Sequence, residues 1–303
     1  MIFRLLLLLF LLPANPGPAL AESPDAATVA KAVPVCRQDD LRIAVIPKKS
    51  MEVLVEEYRP LLKHLSKGLG LPVEFVRAES YDSVTDAIVS GGVDIAWIGP
   101  AGYLLANLRN PKVEAFANLT LEKGHFTPAG NYYQALLVVR ADRKYNTVAD
   151  VENARVALTD PLSTSGSLVP NHSFSRFIKK PLSKFFGIQV YTGSHDRSIE
   201  AVLAGRVDAA FIASVRADDF VRQKKMAPDA LRVLWRSDAI HYDPFVFGPT
   251  VCPAHKAKIR QLMLEDQAPL TAFFRSQQAT GLVSANHGDY APMNKVMGGQ
   301  NAR

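Results

Sequence analysis

Beyond its first twenty or so residues the chain has no apolar run near the roughly 18 residues that a membrane-spanning helix needs, so nothing in its body reads as a membrane segment. Cysteine is equally scarce. Cys36 and Cys252 are the only two, and neither belongs to a zinc-holding spacing. The seven histidines are dispersed without an H-E-x-x-H arrangement, so no metal is expected, and no other cofactor either. A G-x-S-x-G elbow is also missing. Ser165, His195 and Asp243 can be assembled into a nucleophile, a base and an orienter only on paper, and the chain is read as a non-enzyme with hydrolysis as the alternative class. Long runs of one charge sign are absent too. The net charge of +6 comes from scattered Lys and Arg without a helix-turn-helix pattern, which argues against a nucleic-acid partner and leaves a mild field that attracts anions.

What is present begins with an export signal. Arg4 precedes LLLLLFLLP, and Ala19-Leu20-Ala21 supplies a small-x-small end, so residues 1–21 read as a signal peptide cleaved before Glu22. No cysteine follows Ala21, which argues against a lipid anchor at that junction, and the periplasm is the expected location. In such an oxidising compartment Cys36 and Cys252 could pair. The sequence does not give their separation, so two unconnected thiols remain open.

Residues 22–40 form a loose leader. Short apolar runs at residues 41–46, 73–76 and 93–98 then alternate with helical patterns at residues 50–67, 83–89 and from Gly102 onward. That is the pattern of a mostly parallel α/β sheet. AIVSGGVDIAWI at residues 87–98 returns as AVLAGRVDAAFI at residues 201–212, which indicates a second unit built on the same device. YYQALLVV and PFVFGPTV read as extended crossings between the units. The expectation is a two-lobed α/β fold with the ligand in the cleft: residues 41–134 form the first part of lobe one, residues 135–244 form lobe two with the crossings, and residues 245–303 return to lobe one and end in a polar tail.

Chemistry concentrates in residues 160–170, DPLSTSGSLVP. Ser163, Thr164 and Ser165 stand between a strand and a helix start, next to Gly166. Hydroxyls at cap positions and the free amides of a first helical turn make a seat for an anion. The loop has no basic residue, so it is expected to hold that anion by neutral donors. The bland alternative is an ordinary helix cap. His195, in GSHD, can donate from its ring to an oxyanion, and Tyr81 occupies the same kind of connection in the first unit. Asp243 can accept from a protonated ligand oxygen; the alternative is that it only starts a turn before Pro244.

VDIAWIGPAGY, DPLSTSGSLVP, YTGSHDRSIEAVLAGRVDAAF and WRSDAIHYDP together resemble the phosphate, phosphite and phosphonate-binding proteins of ABC importers, over residues 41–264. The resemblance implies a type II periplasmic binding protein, a monomer, that closes over a small oxyanion and delivers it to a membrane permease. Related proteins serve sensor kinases, including for arsenic oxyanions, which is the alternative role. Carried over by position, the ligand residues are Tyr81, Ser163, Thr164, Ser165 and His195, with Asp243 facing the same group. Lobe one approaches through Lys48, Lys49 and Ser50 and through Gly99, Pro100 and Ala101. Ile98 and Val215 stand where an aminoalkylphosphonate binder places a tyrosine and an acidic residue, so the resemblance implies a smaller ligand such as phosphite, phosphate or methylphosphonate.

Overall fold

The computed structural model describes residues 38–298; the expected signal peptide, most of the leader and Cys36 lie outside them. Strands and helices alternate from the start as β1 (Leu41–Val45), α1 (Met51–Leu69), β2 (Val73–Val76), α2 (Tyr81–Ser90), β3 (Ile95–Trp97) and α3 (Pro100–Arg109), followed by β4 (Glu114–Leu121). The chain crosses through β5 (Tyr132–Tyr133) to β6 (Ala135–Arg140) and β7 (Arg155–Leu158). A helical stretch follows, wound as π-helical turns over Thr164–Leu168 and Pro170–Phe174 and ending as α4 (Ser175–Ile178). Next come α5 (Leu182–Phe185), β8 (Ile188–Tyr191), α6 (His195–Leu203), β9 (Ala209–Ala213), α7 (Ser214–Arg222) and β10 (Leu231–Arg236). The return runs through β11 (Ile240–His241), β12 (Pro244–Phe247), α8 (Pro253–Arg260), α9 (Thr271–Gln277) and β13 (Ala279–Ser284).

These strands build two large sheets, ordered β13-β4-β12-β3-β1-β2 and β10-β6-β9-β7-β8. Both share one plan. Three parallel strands lie with the first between the second and third, then comes an antiparallel strand next to a crossing, then its antiparallel neighbour. A two-stranded ladder of β5 and β11 ties the crossings together. The two-lobed α/β architecture is therefore present.

The repeated Val-Asp step has a physical task in each lobe. Asp94 accepts from the Arg42 amide at 2.8 Å and donates its own amide to the Arg42 carbonyl at 2.9 Å. Asp208 does the same for Arg155, at 2.9 Å in both directions. Each arginine also donates to the carbonyl of a glycine in the left-handed region, Gly91 for Arg42 and Gly205 for Arg155. The step thus fixes the third strand against the first and aims the following loop at the cleft.

Helix α1 buries Leu54, Tyr58, Leu61 and Leu65 on one face, runs on through Pro60, and stops where Gly70 turns left-handed at φ 72°. α2 and α6 begin at Tyr81 and His195, two and three residues before the positions that apolar periodicity marks, because Ser80 and Ser194 cap them by accepting from Ser83 and Arg197 amides. The helical stretch after the 160–170 loop starts at Thr164 in the same way, with Ser163 as its cap. The crossing YYQALLVV is not one strand: Gln134 separates β5 from β6. The return segment ends not only in a polar tail but in β13, which pairs with β4 at the sheet edge.

Leu168 and Val169 of the second lobe belong to the same apolar cluster as Trp97, Phe245 and Phe273 of the first, so the lobes are in contact. Within lobe two Phe174 is fully buried, with ring centres 5.1 Å from Phe211, 5.3 Å from Trp235 and 5.8 Å from Phe185. Phe174→Ala should cost about 3–5 kcal/mol of stability, read as a lowered midpoint in urea unfolding.

Candidate functional site

Every parallel strand of both sheets ends at the cleft, and each hands over to a helix start. Tyr81 is the first residue of α2 and His195 the first of α6; Ser163 caps the Thr164 turn, Gly99 caps α3 and Ala213 caps α7. All five line one cavity, with Lys48, Ser165, Val215, Arg216, Tyr133, Tyr242 and Asp243. Only about 20 Å³ of it can hold the centre of a water-sized atom, so it suits a few atoms grouped about one centre.

The loop of residues 160–170 brings three buried hydroxyls, those of Ser163, Thr164 and Ser165, to the cavity wall. Ser163 Oγ accepts from the Gly166 amide at 3.1 Å, and Thr164 Oγ1 accepts from the Ala101 amide of the other lobe at 3.0 Å. Each hydroxyl therefore keeps its own proton for another acceptor. The cross-lobe bond needs a close approach: a Cβ on Gly99 would come within 3.0 Å of Thr164 Oγ1. Gly166 is tighter still, since a Cβ there would lie 2.1 Å from Thr159 Oγ1.

Thr159 belongs to the support of His195. The Ala213 amide donates to His195 Nδ1 at 3.2 Å, and Thr159 Oγ1 lies 3.1 Å from the same nitrogen. A backbone N–H can only donate, so Nδ1 is the acceptor and the neutral ring carries its proton on Nε2. Nε2 lies on the Ser163 side, 3.4 Å from Oγ. Burial, then Arg216 and Lys48, push this histidine down to about 3, so it stays neutral.

Tyr81 is buried and its phenolic oxygen has no hydrogen-bond partner. Burial first, then Asp243 and Asp160, raises it well above its ordinary value, so it keeps its proton and can donate. Tyr133 and Tyr242 are raised mainly by burial as well. Asp243, whose backbone carbonyl accepts from Trp97 Nε1 at 2.7 Å, is pushed up by burial against the pull of Lys48.

The cavity is less neutral than the loop alone suggests. Lys48 lies with Nζ 3.5 Å from the centre of the Trp97 ring and donates to Gln277 at 3.3 Å; burial, then Lys49 and Arg216, lowers it well below its ordinary value. Arg216 enters from α7. Burial works against its charge, but Asp196 and Asp219 outweigh that and raise it. Of the positions named from sequence, Lys48, Tyr81, Gly99, Ser163, Thr164, Ser165, His195, Val215 and Asp243 line the cavity. Lys49, Ser50, Ile98, Pro100 and Ala101 do not. Lys49 pairs with carboxylates, Ser50 caps α1, Ile98 is core, Pro100 is the first residue of α3 and Ala101 gives its amide to Thr164. Arg216, Tyr133 and Tyr242 carried no local signal, since the second repeat's strand end was read only for the acidic residue it lacks.

Cys252 is disulfide-bonded, and Cys36, the only other cysteine of the chain, lies outside the described residues. Among the described residues no group of three or more His, Cys, Asp or Glu is placed to hold a metal ion, and no helix is long and apolar enough to cross a membrane.

Two outcomes follow from this geometry. Gly166→Ala must displace Thr159 and should cost about 1–3 kcal/mol, measured by thermal unfolding. His195 is neutral in the folded chain but takes a proton near 6.5 when unfolded, so its contribution is present above 6.5 and is lost as pH falls from there toward about 3. His195→Gln should remove one proton from the acid slope, about 1.4 kcal/mol per pH unit in that window, read from urea unfolding at a series of pH values.

A family model described as the periplasmic substrate-binding protein of the ABC phosphonate transporter matches residues 43–290. The phosphate-import protein PhnD of Mycolicibacterium smegmatis is 28% identical over 235 residues, covering 75% of this chain and 72% of that one. The phosphonates-binding periplasmic protein of Escherichia coli is 28% identical over 226 residues, with 72% and 64% covered. Among solved structures, a binding component of an ABC phosphonate transporter from Pseudomonas aeruginosa superposes with a TM-score of 0.77 at 23% identity over 86% of each chain. PhnD1 of Prochlorococcus marinus, in complex with methylphosphonate, gives 0.75 at 18% identity over 88% of this chain and 99% of that one. At these identities the two structures establish the fold. With the family model matching most of its length, the chain belongs to the periplasmic substrate-binding proteins of ABC phosphonate transporters, a family of binding proteins rather than enzymes.

Proposed function

We propose that this protein captures a small tetrahedral oxyanion, namely phosphite, phosphate or methylphosphonate, by closing its lobes over it, and hands it to an ABC importer. The observation that carries the reading is the unpartnered, fully buried Tyr81 hydroxyl in a small cavity rimmed by further donors. A buried polar group without a partner costs about 1–3 kcal/mol, and an anion supplies the missing acceptor. Ser163, Thr164 and the His195 Nε2–H add donors, and Lys48 and Arg216 add charge. Asp243 is the one carboxylate in the wall, which suits an anion that still carries an O–H proton.

Size and charge set the selectivity. An ammonium on the ligand would meet Arg216 and Lys48, while Val215 offers it no acceptor and Ile98 is buried in the core. Aminoethylphosphonate is therefore disfavoured and smaller anions are preferred. The import and methylphosphonate named for the two relatives agree with this reading. Residues 1–21 are proposed to direct export, so the mass of the periplasmic protein should correspond to a chain beginning at Glu22.

Calorimetric titration of desalted protein with phosphite, phosphate, methylphosphonate, aminoethylphosphonate and arsenate tests the assignment. At least one of the first three should bind well below millimolar, and aminoethylphosphonate should be weakest. Failure of all five, with tight binding of an unrelated solute, would sink it. Ser163→Ala and Thr164→Ala should each weaken the preferred anion by about 1–3 kcal/mol.

A further inference from the structure

A buried charge cluster beside the cavity reaches it through Arg216, while its other members, Lys49, Asp219 and Arg222, do not line it. Lys49, at the entry to α1, places Nζ 2.7 Å from Glu57 of its own lobe and 3.3 Å from Asp219 Oδ2 of the other. The same Asp219 oxygen accepts from Arg216 Nη1 at 2.7 Å, and its second oxygen accepts from Arg222. Arg216 Nε and Nη2 both donate to Asp196 Oδ1, at 3.0 and 2.7 Å. A guanidinium has five N–H groups, and these contacts use three. Two remain on a residue that lines the cavity. Arg222 also donates to the Ser276 carbonyl of lobe one at 3.3 Å, a second cross-lobe contact at the same carboxylate.

We propose that Asp219 couples lobe closure to anion recognition: one of its oxygens accepts at once from Lys49 across the cleft and from Arg216, whose two free N–H groups bind the oxyanion. The proposal rests on the oxyanion reading of the cavity. It makes Arg216 a ligand-binding residue, Asp219 a positioning residue and Lys49 a latch.

The charges favour reversible latching. With the lobes apart, Asp219 keeps Arg216 and Arg222, and Glu57 keeps Gln277 Nε2 at 3.0 Å, so opening strands no carboxylate. With the lobes together, Lys49, Arg216 and Arg222 are gathered against Asp196, Asp219 and Glu57, while Lys48 and Asp243 face each other in the cavity wall. A latch of this kind changes how much of the protein is closed, and a change in closed fraction scales every affinity by the same factor.

The test is Lys49→Met against Arg216→Gln, each titrated with phosphite, phosphate and methylphosphonate. Lys49→Met should raise all three Kd values by one common factor, roughly 10- to 100-fold, and Lys49→Arg should restore most of it. Arg216→Gln should change the ratios between the anions. Unchanged Kd values in Lys49→Met, or factors that differ between anions, would overturn the latch. Closure is read separately by fluorescence transfer between dyes on Lys63→Cys and Lys184→Cys, both exposed and on different lobes. Lys49→Met should lower the closed fraction there. If the unmodified protein binds none of the three anions, the oxyanion reading has failed on its own account, and an unaltered closed fraction in Lys49→Met then overturns the latch as well.

Discussion

Helix amino ends carry partial positive charge and unpaired amides, and this fold turns several of them toward one another across a single cleft. Like ends facing each other repel, so the closed arrangement depends on whatever offsets that repulsion. Part of the answer is internal. Thr164 reaches over to take an amide of α3, and Asp219 gathers cations from both lobes. The remainder of the positive field converges on a space of a few atoms, which is why the site is built for an anion before any side chain is counted.

Side chains then decide what kind of anion. His195 is held neutral with its proton on Nε2 by a backbone amide that leaves no other tautomer, so it contributes direction without charge. Tyr81 contributes in the same way from the opposite lobe, at the equivalent helix start. Charge comes from Lys48 and Arg216, each held by neighbours, one over an indole ring and one between two carboxylates. Fixed donors and restrained cations suit a compact group that must be bound firmly and still released.

Much of this was legible in the chain. The repeated GGVDIAWI and GRVDAAFI segments report a real equivalence, because Asp94 and Asp208 make the same pair of backbone bonds to Arg42 and Arg155. The place of residues 163–165 at a helix start in the cavity wall was legible because hydroxyls, glycine and a helix start are local features. Helix starts were read late, since apolar periodicity marks the buried face while Ser80, Ser163 and Ser194 mark the ends. Strand β4 and the edge strand β13 escaped notice: EAFANLTL is buried along almost all its length and shows no alternation, and β13 carries a glycine. Of the two cavity cations, Lys48 was named only through the family resemblance, and Arg216 depended on tertiary placement. A lysine in a PKK turn and an arginine in a polar helix look like solvated charge until the folded chain surrounds them.

The crossing strands have a consequence for how the protein is made. β12 lies between β3 and β4 in the first sheet, yet it is synthesised after the whole second lobe. Until residues 244–247 arrive, β3 and β4 share no ladder, and β13 comes later still to cover the outer edge of β4. A ribosome releasing this chain from its amino end therefore cannot complete the first sheet part-way through. The architecture postpones completion of its first sheet to roughly the last fifth of translation, so for most of its synthesis the chain lacks the strand that joins β3 to β4.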